Sequence, residues 1–245
     1  MQAYILYFTW IISIQQTTGS GTAVSPINSV RPNDAVDICV LVPFDDSRMF
    51  SSARVLPAVN LAVSKVKDAG YTAGVKIRIR LGNSGCNSRD APIMAFEYYR
   101  RQQVSVFIGP VCDYSLAPVA RYAPVWNIPV ISPGGFAHDM VSKRGPDGEF
   151  PSLTRIGVTF NSLTESMVGI MMGEFRWSKI KLIYDGEAMS NVMPRFCYLA
   201  AASLVNTTKE RRMGHDFHIF LPGSHSPEEL LLKEVGNDFG SKCIC

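Results

Sequence analysis

This 245-residue chain has little net charge: 24 Lys and Arg face 21 Asp and Glu, leaving +3. The basic residues are scattered, and Arg100-Arg101 and Arg211-Arg212 are too short to make a basic tract, so no nucleic-acid stripe is present. Histidine is rarer, with 4 in all. His215-Asp216-Phe217-His218 sets two imidazoles three apart, but in a segment that reads as a loop entering a strand, and no metal site is expected there. The chain has no Gly-x-Ser-x-Gly elbow, no phosphate loop, no Gly-x-Gly-x-x-Gly and no His-Glu-x-x-His, so nothing supports an enzyme. Six Cys are too few for a small disulfide scaffold. No segment reaches the roughly 20 apolar residues that cross a bilayer. With 47% apolar and 18% charged residues and no low-complexity tract, disorder is also excluded.

What is there is a chain long enough to bury about 70% of the surface its unfolded state exposes, as one large domain or two modest ones. Its N-terminus stands apart. Tyr4 to Ile14 is almost wholly apolar and is followed by Gln15-Gln16-Thr17-Thr18 and then Gly19, Ser20 and Gly21. An apolar core of that length before small residues reads as a secretory signal over 1–21, without the usual basic n-region, with a linker over 22–36. The competing reading is a buried N-terminal strand or helix. Secretion places the cysteines in an oxidising compartment, where they can pair in many ways that arithmetic does not choose between. Cys243 and Cys245 have no second cluster nearby, so zinc is not expected. Asn206-Thr207-Thr208 is a glycosylation sequon.

Hydrophobic periodicity predicts a β-α-β-α-β-α-β order. Asp37 to Val42 is a short apolar run, a buried strand. Ser51-Ser52 caps a helix in which Val55, Val59, Ala62, Val63 and Val66 share a face, and Gly70 closes it. Strands follow at 75–81, 104–108 and 130–131, with helices at 89–103 and 114–126 between them. This alternation predicts a parallel, doubly wound α/β sheet. Ligands bind such sheets beyond the carboxyl ends of the strands. Here those ends are Pro43-Phe44-Asp45-Asp46, Gly82-Asn83-Ser84-Gly85-Cys86, Gly109-Pro110-Val111-Cys112 and Ser132-Pro133-Gly134-Gly135, all rich in turn formers. A polar, turn-rich stretch over 136–153 reads as a crossover between a first lobe at 37–135 and a partial second lobe at 154–245. That second part has a helix over 162–176, a strand at 179–184, a helix from Pro194 to about Val205, a strand at 217–221, and a last helix opened by Ser226-Pro227-Glu228-Glu229. The chain stops at Cys243-Ile244-Cys245, where a further strand should begin.

Several of these segments resemble a known family. Val42-Pro43-Phe44-Asp45-Asp46-Ser47 with Arg54-Val55-Leu56-Pro57-Ala58-Val59 is similar to the opening of natriuretic peptide receptor ectodomains. So are Ile108-Gly109-Pro110-Val111-Cys112-Asp113-Tyr114 with Ala117-Pro118-Val119-Ala120-Arg121, then Trp126-Asn127-Ile128-Pro129, Leu153-Thr154-Arg155 and Trp177-Ser178. The Pro-x-Asp-Asp-Ser and Gly-Pro-Val-Cys forms look most like the clearance-type branch. The resemblance covers about residues 37–245 and is strongest over 107–121. It implies a two-lobed fold of the periplasmic-binding-protein type I kind with the second lobe incomplete. It also implies an extracellular region that binds and clears a natriuretic-type cyclic peptide hormone as a dimer, with a membrane segment only further downstream. The dimer contact would lie on the first-lobe helices over 89–103 and 114–126. Two alternatives stay open: the ectodomain of a receptor guanylyl cyclase whose catalysis lies downstream, and a truncated secreted decoy.

The resemblance also implies a set of residues. It pairs Cys86 with Cys112, and Cys197 with Cys245, and leaves Cys39 as a buried free thiol. It implies a structural chloride ion held by the Ser84 hydroxyl and the backbone of Val111 and Cys112, and a turn with inward amides is an anion nest. Peptide contacts carry over to Tyr114, Arg121, Glu149, Phe150, Tyr184 and Tyr198. At Phe150 the family usually has Tyr, and the loop over 185–194 departs from the family pattern.

Overall fold

An apolar run too short for a stable helix becomes β1 (Ala35–Val42), whose Cys39, Val40 and Leu41 have no exposed surface. Burial on both faces follows from its place inside a parallel sheet. Its neighbours are β2 (Lys76–Asn83) and β3 (Val106–Ile108), followed outward by β4 (Val130–Ser132) and β5 (Leu153–Arg155). The order is β2-β1-β3-β4-β5, every pair parallel. The computed structural model describes residues 35–72, 74–142, 148–223 and 226–236. The signal expected at 1–21, the linker as far as residue 34, Cys243 and Cys245 fall outside the described residues.

Both faces of the sheet are covered, as the doubly wound reading requires. Cys39, Leu41, Phe107 and Val130 pack with α2 (Asp90–Arg100) and α3 (Asp113–Tyr122) through Ala91, Ala95, Leu116, Val119 and Ala120. The alternate residues Ile38, Val40 and Val42 face α1 (Ser52–Asp68) through Val55 and Val59. Strand order 2-1-3-4-5 reverses direction between β1 and β3, and that switch point is where a crevice opens beyond the strand ends. Gly109 just after β3 has φ +84°, and a Cβ there would lie 2.3 Å from the Leu41 carbonyl oxygen. Only glycine fits the backbone that close.

β5 extends the first sheet past the boundary drawn at residue 153. Leu-Thr-Arg is too short and too polar to show a strand period. It is recruited by β4, whose Val130 N–H donates to Ser152 O at 3.0 Å and whose Ser132 O accepts from Ile156 N at 2.9 Å. The crossover stretch also holds one short helical turn, α4 (Asp139–Ser142).

A second, two-stranded parallel sheet joins β6 (Lys179–Tyr184) to β7 (Gly214–Ile219), packed on α5 (Phe160–Gly173) and α6 (Phe196–Glu210) around Val168, Met171, Ile180, Leu204 and Met213. α5 starts before the expected Ser162 because Thr159 caps it and Ser162 closes the capping box. α6 starts after Pro194, since Arg195 is left-handed at φ +59°, and it runs beyond Val205. Ser203 and Thr207 there are wholly buried, and the Thr207 hydroxyl meets that of Thr164 on α5 at 2.8 Å. A polar face read as the end of a helix is in fact a helix–helix contact. α7 (Pro227–Glu234) begins as expected, with the Ser226 hydroxyl accepting from Glu229 N at 3.2 Å.

Asp37 is the buried charge of the first sheet. It accepts from Arg78 Nε at 2.8 Å and Nη2 at 2.5 Å, and from Arg80 Nε at 3.1 Å. The Arg78 guanidinium holds its carboxyl below the usual range against the opposing effect of burial. A lowered folded value means the stabilisation is present above the unfolded value of about 4 and is lost as pH falls through the folded one. Asp37→Asn should cost about 1–2 kcal/mol at neutral pH, less than a fully buried pair because Arg78 keeps 43% of its side chain exposed. Urea melts at pH 7 and pH 3 check this: the difference between variant and parent should shrink in acid, and a constant difference would refute it.

Candidate functional site

The loops beyond β1, β2, β3 and β4 converge at the carboxyl edge. Cys86 and Cys112 are joined there, their Cα atoms 5.3 Å apart, as the resemblance implied. The bridge is buried and packs with Phe160 and Met193, flanked by Phe136, Phe196, Leu199 and Ala200. Phe136, Phe160 and Phe196 form an aromatic triad with ring centroids 4.9–6.1 Å apart. The disulfide therefore sits where loops of the first sheet meet the helices of the second. Segment 189–195 reinforces that contact: Val192 and Met193 are buried, and the Ser190 carbonyl accepts from Arg48 Nη1 at 2.5 Å.

Beneath the bridge, Ser84 is wholly buried and Val111 and Cys112 nearly so. The Ser84 hydroxyl accepts a 3.4 Å bond from Cys86 N. Its proton, and the amides of Val111 and Cys112, have no acceptor among the described residues. Gly134 closes the turn, and a Cβ there would lie 1.9 Å from the Val111 carbonyl oxygen.

Four of the six expected contact residues come together. Tyr114, Arg121 and Phe150 line one cavity of about 350 Å3, with Asp113, Met140 and Leu199 completing the walls. Arg121 Nε pairs with the Glu149 carboxylate, and its guanidinium lies 5.4 Å from the Phe150 ring centroid. Phe150 itself is 1% exposed, so it presents a ring face to Arg121 and is otherwise core. Tyr184 and Tyr198 belong to the second sheet's layer and do not line that cavity. Burial pushes the Tyr184 phenol up, with Tyr198 adding to the shift. Arg195, which the sequence did not single out, stacks 3.9 Å above the Tyr198 ring.

Asp113 was also missed. It is 4% exposed at the start of α3 and lines the cavity. Its acidity beside Cys112 was visible, but its burial was not. Burial pushes its carboxyl up, opposed by three backbone N–H donors and by Arg155.

Cys39 and Cys197 are free among the described residues, and the sequon lies on α6. Cys197 is half-buried in the first turn of α6, and its expected partner Cys245 lies outside the described residues. Cys39 is a free thiol that donates to Gln103 O at 3.2 Å, and burial raises it to about 12, far from a reactive thiolate. Asn206 is half-buried within α6, and the Thr208 hydroxyl donates to Val205 O at 2.8 Å, so the sequon is helical in the folded chain. His218 Nδ1 lies 3.4 Å from Glu234 Oε1, and no group of three metal-ligating side chains occurs among the described residues.

Residues 54–211, well over half the chain, match the model of the receptor family ligand binding region. Atrial natriuretic peptide receptor 3 of Homo sapiens is 28% identical over 196 residues, 77% of this chain and 35% of that protein. Receptor-type guanylate cyclase gcy-8 of Caenorhabditis elegans is 32% identical over 105 residues, 42% of this chain and 9% of that one. The chain thus spans about a third of the length of the first curated relatives. The branched-chain amino acid transporter substrate binding protein LivJ from Streptococcus pneumoniae superposes with a TM-score of 0.58 at 16% identity, covering 84% of this chain and 55% of that one. That likeness fixes the fold as periplasmic-binding-protein type I. The family model covers well over half of the chain and reaches strands of both sheets, so the chain belongs to the receptor family whose ligand binding region that model describes.

Proposed function

We propose that this chain is the ligand-binding region of a receptor for a natriuretic-type peptide hormone, lying on the extracellular side and clearing peptide as a dimer. One observation carries the reading. Tyr114, Arg121 and Phe150 line a single cavity at the working edge of the sheet, with Glu149 paired to Arg121. An aromatic rim with a carboxylate suits a cationic, Phe-bearing peptide, whose basic groups compete with Arg121 for Glu149. The buried disulfide fits an oxidising compartment. No helix among the described residues is long and apolar enough to cross a membrane.

Chloride is the ion the residues beneath the bridge would hold. A buried hydroxyl proton and two amides without an acceptor are the donor set a small anion needs, and no carboxylate competes within it. The ion would supply negative charge that fixes the β2 and β3 loops. The dimer contact we assign to α2 and α3, where Trp126 stacks on Tyr99 at 4.8 Å with Tyr122 and Phe96 around it. Ile93 and Val125 lie exposed beside them. An aromatic patch of this kind on a soluble surface marks an interface.

Titration of labelled atrial natriuretic peptide tests the reading. The parent chain should bind. Arg121→Glu should alter affinity by more than tenfold, and Arg121→Glu with Glu149→Arg should recover part of the change. Replacing chloride by gluconate should weaken binding, and Trp126→Ala should shift sedimentation toward monomer. No binding by the well-folded parent, at any chloride level, would sink the proposal.

The receptor guanylyl cyclase reading rests on the match to gcy-8. The catalytic part would lie outside the matched region, so the transcript downstream decides it. A kinase-like segment after a membrane helix supports a cyclase, a short tail supports clearance, and a stop after Cys245 supports a secreted decoy.

A further inference from the structure

The carboxylate of Asp113 is the most enclosed charge at the candidate site, and both of its oxygens are occupied. Oδ1 accepts from Gly135 N and Phe136 N, each at 3.0 Å, and Oδ2 accepts from Ala137 N at 2.6 Å. Three successive amides facing one anion make a nest of the kind that usually receives a phosphate or a bound anion. Here the chain fills it with its own side chain. The carboxylate also lies in the first turn of α3, where the helix dipole favours negative charge. The same loop is held from its other side, since Arg155 Nη1 donates to Gly135 O at 2.7 Å. Gly135 adopts φ +75°, and a Cβ there would lie 2.8 Å from Arg155 Cδ, so the turn has little room to relax.

The three residues so held lead in two directions. Ala137 belongs to the wall of the 350 Å3 cavity, as do Asp139 and Met140 just after it. Phe136 belongs to the aromatic triad with Phe160 and Phe196, and its carbonyl accepts from Phe160 N at 3.3 Å. Asp113 follows Cys112 directly, so its own backbone is pinned by the disulfide. One side chain thus spans the anchored β3 loop, the cavity wall and the contact with the second sheet's helices.

We propose that Asp113 is the positioning residue of the binding cavity: its carboxylate is taken up by the amides of residues 135–137, and by clamping them it sets the wall that Tyr114, Arg121 and Phe150 face. This rests on the peptide-binding reading for its consequence, though not for its geometry. The chemistry is specific to a carboxylate. Asparagine keeps one acceptor oxygen, enough for two amides, and turns an N–H2 toward the third. Leucine keeps the shape and supplies no acceptor, so the buried Gly135 amide and the half-buried amides of Phe136 and Ala137 lose their partner.

The experiment compares Asp113→Asn and Asp113→Leu with the parent chain, each first shown to form the Cys86–Cys112 bridge. Two quantities are read well below the melting temperature: affinity for labelled atrial natriuretic peptide, and hydrogen exchange at residues 135–137 against β1. Binding should weaken about tenfold in the asparagine variant and a hundredfold in the leucine variant. Exchange at 135–137 should quicken in the same order while β1 stays protected. A role in packing alone predicts that leucine binds and exchanges like the parent, and that result overturns the proposal. So does a loss of protection spread evenly over β1 and the loop. If the parent takes up no peptide, the functional reading fails, and the exchange order still decides whether Asp113 sets the wall. Should the leucine variant fail to fold, the asparagine variant decides alone: parent-like exchange at 135–137 refutes the clamp.

Discussion

Replacing both Cys86 and Cys112 by alanine is expected to lower the melting temperature by about 7–14 °C. The bridge spans 26 residues of sequence. On the chain-entropy model a loop of that size restricts the unfolded state by about 3.5 kcal/mol. For a domain of this length each kcal/mol moves the midpoint by about 2–4 °C. Alanine avoids burying new hydroxyls where the sulfurs were. The damage should not be uniform, because the two sulfurs are also the floor on which Phe160 and Met193 rest. The second sheet's helices should lose protection before the β1–β2 ladder does. Thermal melts followed by circular dichroism, with exchange read by segment, test both points. A midpoint within about 2 °C of the parent would mean that the loops at the carboxyl edge are already ordered without the bridge.

How much of this was legible in the residues depends on what each signal measures. β1 is an uninterrupted apolar run between turn formers, and it reads as a buried strand whether or not its neighbours are known. β6, expected at 179–184, runs Lys179–Tyr184. The α1 face of Val55, Val59 and Val63 was legible for the same reason, since a period of 3.6 depends only on spacing. β5 was not legible, because three residues carry no period and their recruitment depends on the open edge of β4. β7 begins at Gly214, three residues before the expected Phe217, because it is set by register against Lys179 rather than by its own pattern. The end of α6 was misread because Ser203 and Thr207 look like surface until Thr164 is placed against them. The disulfide, and the residues that share the cavity, were legible only through family resemblance, since spacing alone left the cysteine pairings open. Asp113 and Arg195 escaped both routes. Burial of an acid by three amides, and a guanidinium laid over Tyr198 by a left-handed residue, are properties of the folded loop and leave no mark in sequence.

Phe150→Ala is expected to be the costliest single substitution at the site, at about 3–5 kcal/mol, as for other fully buried aromatic rings. The ring belongs to the same cluster as Phe107, Val130, Met140 and Leu153, and that cluster has little freedom to collapse because β4 and β5 are fixed by their ladder. A thermal midpoint about 6–20 °C below the parent follows. The ring also carries the Arg121 guanidinium, a contact worth about 0.5–1 kcal/mol at a partly exposed site. Phe150→Leu separates the two roles. It keeps most of the apolar volume and should cost only about 1–2 kcal/mol, but it offers no π face to Arg121. If the ring orients Arg121 for peptide, the leucine variant should bind atrial natriuretic peptide several-fold more weakly while remaining folded. Unchanged affinity in that variant would assign Phe150 to the core alone and leave the Glu149 carboxylate as the group that orients Arg121. A parent-like melt for the alanine variant would instead contradict the burial on which both roles depend.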